Sequence, residues 1–141
     1  FRCFKKNLMS SPGISQNPRI IVIQKLYSYF VNKDTSLKYP KHRYKKFIKD
    51  TVSGTIEREE FILDKLKSIL RNEFKESRTD LILKIMIMSA SFELLFVHKT
   101  PIKVIVSEYV KISDFFLESA HKRYLNAILD KVSKNVRNLE N

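Results

Sequence analysis

The stretch from Thr79 to Val97 constrains the fold more than any other. Large apolar side chains fall on nearly every face of a helix drawn through it, and a helix that is apolar all round must be buried all round. A transmembrane helix is the alternative, but it needs about 18–20 uninterrupted apolar residues. Lys84, Ser89, Ser91 and Glu93 interrupt this run. The segment therefore predicts the central helix of a globular domain that has no membrane partner.

Three amphipathic segments precede the central helix. Asn17-Pro18 combines a cap with a first-turn proline, and the helix that it starts is predicted to end near Asn32. The helical pattern from Arg43 to Phe74 would form one rod of about 48 Å, which is too long for a compact domain. We therefore predict a break near Gly54 and a hairpin of two helices. The side chains expected to face inward are Ile20, Ile23, Leu26, Tyr27 and Phe30 on the first helix, Tyr44, Phe47, Ile48 and Val52 on the second, and Ile62, Leu66, Ile69 and Leu70 on the third.

Two more helices follow the central one, which Thr79 or Ser77 is expected to cap and His98-Lys99 to close. Thr100-Pro101 repeats the pattern of a cap followed by proline. A last helix is expected after a short loop over residues 118–120, with Ser119 as its cap. The buried stripes are predicted to be Ile105, Tyr109, Ile112 and Phe116, then Leu125, Ile128, Leu129, Val132 and Val136. Only two glycines and four prolines are present, which is few for the many turns of a β protein. The fold class is therefore all-α, a compact bundle of six to seven helices.

The charge of the chain indicates its class of partner. There are 27 Lys and Arg against 15 Asp and Glu, giving a net charge of +12 and a pI near 9.8. Such a surplus favours a polyanionic partner, most often nucleic acid, although it also serves solubility. The single cysteine, Cys3, excludes an internal disulfide and suits the cytoplasm. Residues 1–16 are expected to be a flexible basic segment and 17–141 the folded domain, with the true start residue left open because the chain begins with Phe1.

Several motifs, taken together, resemble one family. Residues 19–27 read RIIVIQKLY and are similar to R-x-x-A-x-Q-x-L-Y, and residues 47–54, FIKDTVSG, are similar to F-x-x-x-L-V-x-G. Residues 100–110, TPIKVIVSEYV, and 122–131, KRYLNAILDK, resemble P-x-K-V-x-I-N-E-x-V and K-F-V-N-G-V-L-D in order and separation. Phe92 to Leu94 resembles a Y-E-L triplet at the end of the central helix. These are patterns of the NusB family of transcription antitermination factors, and the resemblance spans about Arg19 to Lys131.

The resemblance implies both a fold and a function. The fold is NusB-like, with two helical subdomains packed together. The function is binding of boxA-type single-stranded RNA together with the ribosomal protein NusE, as part of the transcription elongation complex on rRNA operons. The same fold also forms the front domain of an rRNA cytosine methyltransferase, but 141 residues leave no room for a cofactor domain, so a stand-alone factor is expected. Some family members are homodimers that hide the RNA face, and the sequence leaves the oligomeric state open.

The sequence departs from the family patterns at three places. Ser107 stands where the family usually has Asn, and Ala127 where it has Gly. The family's arginine-rich run ahead of the first helix is reduced to Arg19, which the resemblance implies as an RNA contact. The basic side chains Arg2, Lys5 and Lys6 are candidates to replace the run. A helical protein-interaction module that has lost specific RNA recognition is therefore the alternative function, and a subunit that recruits a methyltransferase in trans is a third.

Single-stranded RNA is held by cations on its phosphates and by aromatic or Arg planes stacked on its bases, and two segments offer this mixture. The first is the turn 120–124, with Ala120, Lys122, Arg123 and Tyr124 as RNA contacts beside His121; the alternative is a solvated turn with Tyr124 in the core. The second is the basic segment 38–49, which holds six Lys and Arg, three aromatics and no acid. Its candidates are Lys41, Arg43, Lys45 and Lys46, with Tyr39 or Tyr44 as stacking partners; the alternative is an ordinary charged face.

Other notable polar and aromatic residues are predicted to have other roles. Tyr27 matches a family position at the NusE contact, although helical spacing equally places it in the core. Glu108 and Asn126 are predicted to form a buried hydrogen-bonded pair. His42, His98 and His121 lie in separate segments, without a carboxylate or cysteine at metal-ligand spacing. The chain is therefore expected to be no enzyme and to use no metal or cofactor.

Overall fold

Residues 17–75 and 79–136 are described by a computed structural model. They form six α-helices: α1 (Pro18–Asn32), α2 (Lys45–Glu57), α3 (Glu59–Leu70), α4 (Leu81–Phe96), α5 (Ile102–Phe116) and α6 (Ser119–Val136). A 3-10 turn, Arg71–Glu73, extends α3. No strand occurs in these two ranges, and the predicted all-α class is confirmed. The predicted basic segment 1–16 lies outside the described residues.

Helix α4 is the centre of the molecule, as predicted. It contacts each of the five other helices, and every residue from Ile82 to Leu94 except Lys84 is buried. Helices α1 and α2 pack on each other, whereas α6 packs on α3 and α5. None of the helices in the described ranges is long and apolar enough to span a membrane. The apolar surface of α4 is thus covered by its neighbouring helices.

Helix α1 begins and ends where the sequence predicts. The Asn17 side chain accepts a hydrogen bond from the backbone N–H of Arg19 at 3.0 Å, and Pro18 occupies the first turn. After Asn32, Lys33 adopts a left-handed conformation with φ of 57°, which ends the helix. The predicted Ile20, Ile23 and Leu26 are buried. The unpredicted Ile21 and Val22 are buried too, because both α2 and α4 pack against this helix.

The predicted break between the second and third helices exists but lies at Arg58 and not near Gly54, and the predicted hairpin is wrong. Helix α2 continues to Glu57, and Arg58 alone separates it from α3. Hydrogen bonds run from the Arg58 N–H to the Gly54 carbonyl at 3.1 Å and from the Ile62 N–H to the Arg58 carbonyl at 2.8 Å. A single connecting residue cannot turn the chain back on itself. Helix α2 instead packs mainly on α1 and α4, and α3 on α4 and α6.

Gly54 is required for close packing of two helices. A Cβ atom added at this position would lie 2.2 Å from Cζ of Phe92 on α4, far inside van der Waals contact. The glycine therefore lets α2 approach the central helix. Tyr44, predicted to face inward, precedes α2 and is 47% exposed; the helix starts too late to turn this side chain into the core.

The capping predictions for α4 and α5 are also corrected. Asp80 occupies the N-cap position of α4, and the Thr79 hydroxyl donates to the Lys75 carbonyl at 2.8 Å instead; Ser77 lies outside the described residues. Pro101, and not Thr100, occupies the N-cap position of α5. Helix α6 already includes Ser119, so the predicted loop is shorter.

The predicted close of α4 and the two C-terminal stripes agree with the structure. His98 hydrogen-bonds through Nε2 to the Leu95 carbonyl at 2.6 Å, just past the end of α4. The predicted stripes of α5 and α6 are buried, apart from a partly buried Val136.

Candidate nucleic-acid interface

A buried ion pair lies between the start of α1 and the end of α4. The Arg19 guanidinium donates from Nε to Oε2 of Glu93 at 3.0 Å and from Nη2 to Oε1 at 2.7 Å. Glu93 is 0% exposed and Arg19 9%. Two parallel hydrogen bonds of this kind are the strongest geometry for an Arg–carboxylate pair. Arg19 is thus a structural residue, and its guanidinium is occupied by Glu93 at the site where an RNA contact was expected.

Two hydroxyl groups complete this buried network. The Tyr109 hydroxyl donates to Oε2 of Glu93 at 2.5 Å and lies 2.7 Å from the Ser89 hydroxyl. Burial, followed by the Glu93 carboxylate, raises the pKa of Tyr109 well above its usual value. Burial lowers the pKa of Arg19, but the hydrogen bond and charge of Glu93 outweigh this, so the pKa of Arg19 is raised. The network therefore holds one charged pair and a neutral tyrosine.

The predicted buried pair of Glu108 and Asn126 is wrong. Asn126 is exposed on α6, and Glu108 is only partly buried on α5. The buried polar contacts between helices are made instead by Arg19, Glu93 and Tyr109, which join α1, α4 and α5. Sequence reasoning missed this network because its members lie 74 and 16 residues apart.

The basic segment 38–49 presents its cations to solvent. Lys41, Arg43, Lys45 and Lys46 are all exposed. Lys46 pairs with Asp50 one turn later at 2.7 Å, and an exposed pair of this type contributes little stability. Within residues 17–75 and 79–136, no acidic side chain forms an ion pair with Lys41, Arg43 or Lys45. These three cations face solvent as phosphate ligands would.

The two tyrosines of this segment differ in exposure. The Tyr44 ring is 47% exposed, and the Arg43 guanidinium lies 5.4 Å from its centroid. The Tyr44 backbone N–H donates to Nδ1 of His42 at 2.9 Å, which fixes the chain before α2. Tyr39 packs against the core, and burial raises the pKa of its hydroxyl. Tyr44 is therefore the better stacking candidate of the two.

A cleft of about 500 Å³ opens beside Tyr44, and we call it the Tyr44 cleft. It lies where the starts of α1, α2 and α5 meet. The Arg19 guanidinium lies 4.9 Å from the Phe47 ring centroid, so the floor of the cleft is aromatic and cationic. Its lining consists of Asn17, Pro18, Arg19, Tyr44, Phe47, Thr100 and Glu108.

The turn 120–124 forms the first turn of α6. Ala120 and Arg123 are exposed, and His121 and Lys122 are partly exposed. Lys122 donates to Asp114 at 2.8 Å, and His121 Nδ1 lies 4.0 Å from Asp80. Two of its basic side chains therefore have acidic neighbours, which the sequence pattern did not reveal because those acids belong to other segments.

Tyr124 is held in place by its hydroxyl. It donates to the Glu73 carbonyl at 2.6 Å, and burial raises its pKa. Glu73 also pairs with Lys131. The ring is partly buried and packs against the core at the edge of a smaller cleft of about 340 Å³, which is lined by Asn72, Glu73, Lys75, Thr79, Asp80, Leu83, His121 and Tyr124. Tyr124 therefore contacts both the core and the cleft.

The two basic regions lie at opposite ends of α4. The turn 120–124 neighbours Asp80, ahead of the first residue of that helix, and the Tyr44 cleft contains Arg19, which is bonded to Glu93 near its end. Thirteen residues of helix correspond to about 20 Å. The structure thus brings Arg19 to the basic segment 38–49 and keeps the turn 120–124 apart from both.

Tyr27, the predicted partner contact, is half-buried on α1 and packs against the core. Its geometry fits a core residue with an accessible edge. No group of three or more His, Cys, Asp or Glu suited to a metal occurs among the described residues.

The fold and this surface define a small helical domain that is built around a buried helix and carries cations and aromatics outside. The sequence model of the NusB family matches residues 16–134. The chain belongs to the NusB family, a family of non-enzymatic transcription factors, as the resemblance implied.

Individual relatives agree with this membership. The chain is 35% identical over 92 residues to the transcription antitermination protein NusB of Rhizobium rhizogenes, over 64% of this chain and 57% of that protein. The NusB proteins of Sinorhizobium fredii and Maricaulis maris are 31% and 25% identical over 91 residues, with the same coverage. The alignments thus span 57% of the length of these relatives.

A solved structure shares the fold. T. maritima NusB superimposes with a TM-score of 0.73 and 23% sequence identity, covering 89% of this chain and 93% of that one. The superposition supports the NusB-like arrangement of helices expected from the sequence.

Proposed function

We propose that this protein binds boxA-type single-stranded RNA together with the ribosomal protein NusE. In this role it acts in the cytoplasm as an antitermination factor in the transcription elongation complex on rRNA operons. Family membership supports the proposal, as does the net charge of +12. The observation that carries it is the exposed row of Lys41, Arg43 and Lys45 beside the exposed ring of Tyr44, which is the mixture that single-stranded RNA requires.

The proposed RNA contacts fall into two groups. Lys41, Arg43, Lys45 and Lys46 form the first; Ala120, Lys122, Arg123 and Tyr124 form the second. The ion pair of Lys46 with Asp50 is exposed and that of Lys122 with Asp114 is partly exposed, so exchanging the carboxylate for a phosphate costs little. Arg19 has a structural role, because its two hydrogen bonds to Glu93 hold the start of α1 in place. This part of α1 lies beside the segment that carries the first group.

Fluorescence anisotropy with a labelled boxA RNA tests the proposal. We expect binding that weakens with salt, with a slope of about −0.7 in log K against log salt for each phosphate neutralised. NusE should raise the affinity for boxA above that for a scrambled RNA. A flat salt response, or equal binding of both RNAs in the presence of NusE, would contradict the proposal.

Charge-neutral variants localise the binding surface. Lys45→Gln should make the slope of log K against log salt less steep by about 0.7, and Arg123→Gln should do the same. Lys65→Gln is the matched control, since Lys65 is an exposed lysine on α3 outside both groups. An equal effect of all three variants would indicate unspecific attraction by net charge.

The second candidate function is a protein-interaction module that has lost specific RNA recognition. The occupied guanidinium of Arg19 and the acidic neighbours of the turn 120–124 favour it. It predicts a NusE complex that survives ribonuclease treatment and gives no ultraviolet cross-link to RNA. Tyr27 is the proposed NusE contact, and light scattering of the free protein tests for a homodimer.

A further inference from the structure

We propose, building on the RNA binding proposed above, that the Tyr44 cleft receives one unpaired nucleobase and favours guanine. The cleft is thus the part of the surface that reads a base, while the surrounding cations hold the phosphates. This assigns base recognition to the start of α2, at the opposite end of α4 from the turn 120–124.

The aromatic surface of the cleft suits a stacked base. Tyr44 is one of six large hydrophobic side chains that are exposed in the described part of the chain, at 47%, and Phe47 beside it is partly buried against the core. The Arg43 guanidinium lies 5.4 Å from the Tyr44 ring centroid, and the ring lines a cavity of about 500 Å³. Splayed-out bases of single-stranded RNA stack on such rings.

The charges around the cleft determine where the phosphate backbone and the base of a bound RNA lie. Lys41, Arg43 and Lys45 lie exposed in the segment that forms one side of the cleft, where they attract phosphates. Glu108 lies on the cleft wall and is partly buried, and its carboxylate repels phosphates. A strand bound here therefore keeps its backbone at the cations and points its base inward.

Glu108 also determines which base fits. An ionised carboxylate only accepts hydrogen bonds, so it favours a base edge with two adjacent donors. Guanine presents N1–H and the 2-amino group side by side, whereas uracil presents a single N–H between two carbonyl oxygens. The Arg19 guanidinium, which also lines the cleft, is held in one orientation by its two hydrogen bonds to Glu93.

Three matched RNAs test the inference with the full chain. They are a uridine-rich oligonucleotide carrying a single guanine, the same oligonucleotide with inosine in place of guanine, and the all-uridine form. We expect the guanine RNA to bind about 10-fold more tightly than the uridine form, with inosine between them because it lacks the 2-amino group. Fluorescence anisotropy gives the three dissociation constants.

Two substitutions separate stacking from hydrogen bonding. Tyr44→Leu should weaken all three RNAs about 10-fold, the magnitude of one lost base–aromatic stack, while Tyr44→Phe keeps the ring and the affinity. Glu108→Gln should remove the preference for guanine over inosine and leave the salt slope unchanged. Circular dichroism checks that each variant is folded.

The outcomes distinguish this inference from the proposed function. RNA binding with a normal salt slope, but with no effect of Tyr44→Leu and no difference between guanine and inosine, overturns the base pocket alone. No RNA binding by the unaltered chain overturns both. If Tyr44→Leu weakens the binding of a protein partner and leaves the affinity for RNA unchanged, the cleft is a protein-docking site and the inference is wrong.

Discussion

At the scale of single residues, the Arg19–Glu93 pair shows that a buried charged side chain has a structural role. A family motif places Arg19 at an RNA contact, yet the side chain is 9% exposed and bonded to a carboxylate that is 0% exposed. A charge removed from water must be paired. The identity of both residues is thus explained by their mutual contact.

Arg19→Met should be strongly destabilising. It leaves Glu93 buried without its cation, and breaking a buried pair in this way costs about 3–5 kcal/mol. Urea unfolding followed by circular dichroism measures the loss. Arg19→Met combined with Glu93→Leu should recover much of it, since no unpaired charge remains, and Lys45→Met at an exposed site should change the free energy of unfolding by less than about 0.5 kcal/mol. Equal losses for the two variants that carry Arg19→Met would contradict this account.

Tyr109 should make the protein sensitive to alkali. Its pKa is raised in the folded state, whereas in the unfolded state it is about 10. The stabilisation is therefore fully present below about pH 10 and is lost as pH rises, at up to about 1.4 kcal/mol per pH unit. Unfolding free energies between pH 9 and pH 11 measure this slope.

Tyr109→Phe is the control for that pH dependence. It removes the titrating group, so its stability should fall less steeply above pH 10 than that of the unaltered chain. Tyr39 and Tyr124 remain in both proteins, and their contributions cancel. Parallel curves for the two proteins would show that Tyr109 is not responsible.

At the scale of elements, the α2–α4 contact depends on one missing side chain. Gly54→Ala would place a methyl group 2.2 Å from Phe92 Cζ, and the Phe92 ring is held by Phe96 at 5.5 Å and by the Arg58 guanidinium at 5.8 Å. We expect a loss of about 1–3 kcal/mol from overpacking, despite a helix-propensity gain of about 1 kcal/mol.

Thermal and urea unfolding would measure the effect of Gly54→Ala. Adding Phe92→Leu should make the alanine less costly, because the smaller side chain leaves space. Lys49→Ala, at an exposed position of the same helix, should be close to neutral. A Gly54→Ala variant as stable as the unaltered chain would show that Phe92 moves aside freely.

Helix boundaries were the least predictable elements. The sequence predicted the start of α1 because Asn17 and Pro18 act within one turn. It misplaced the end of α2, since Gly54 looked like a breaker and is a packing residue instead. Local signals specified the cap of α1, but only the neighbouring helix shows why Gly54 is needed.

At the scale of the whole molecule, the two basic regions should act independently. They lie about 20 Å apart along α4, and substitutions farther apart than 7–10 Å usually add within about 0.3–0.5 kcal/mol. The double variant Lys45→Gln, Arg123→Gln should therefore lose a free energy of binding to boxA RNA equal to the sum of the losses in the two single variants. Anisotropy titrations of the two single variants and the double variant provide the measurement, and strong non-additivity would indicate that one region binds RNA only when the other does.

The sequence by itself determined the all-α class, the buried central helix, the cationic surface and the family, because apolar periodicity, charge and local motifs are properties of neighbouring residues. Only the tertiary structure decided that Arg19 pairs with Glu93, that Glu108 lies on a cleft wall, and that acids flank the turn 120–124. Most of these contacts join residues far apart in the chain, and the packing of α1, α5 and α6 around α4 brings them together.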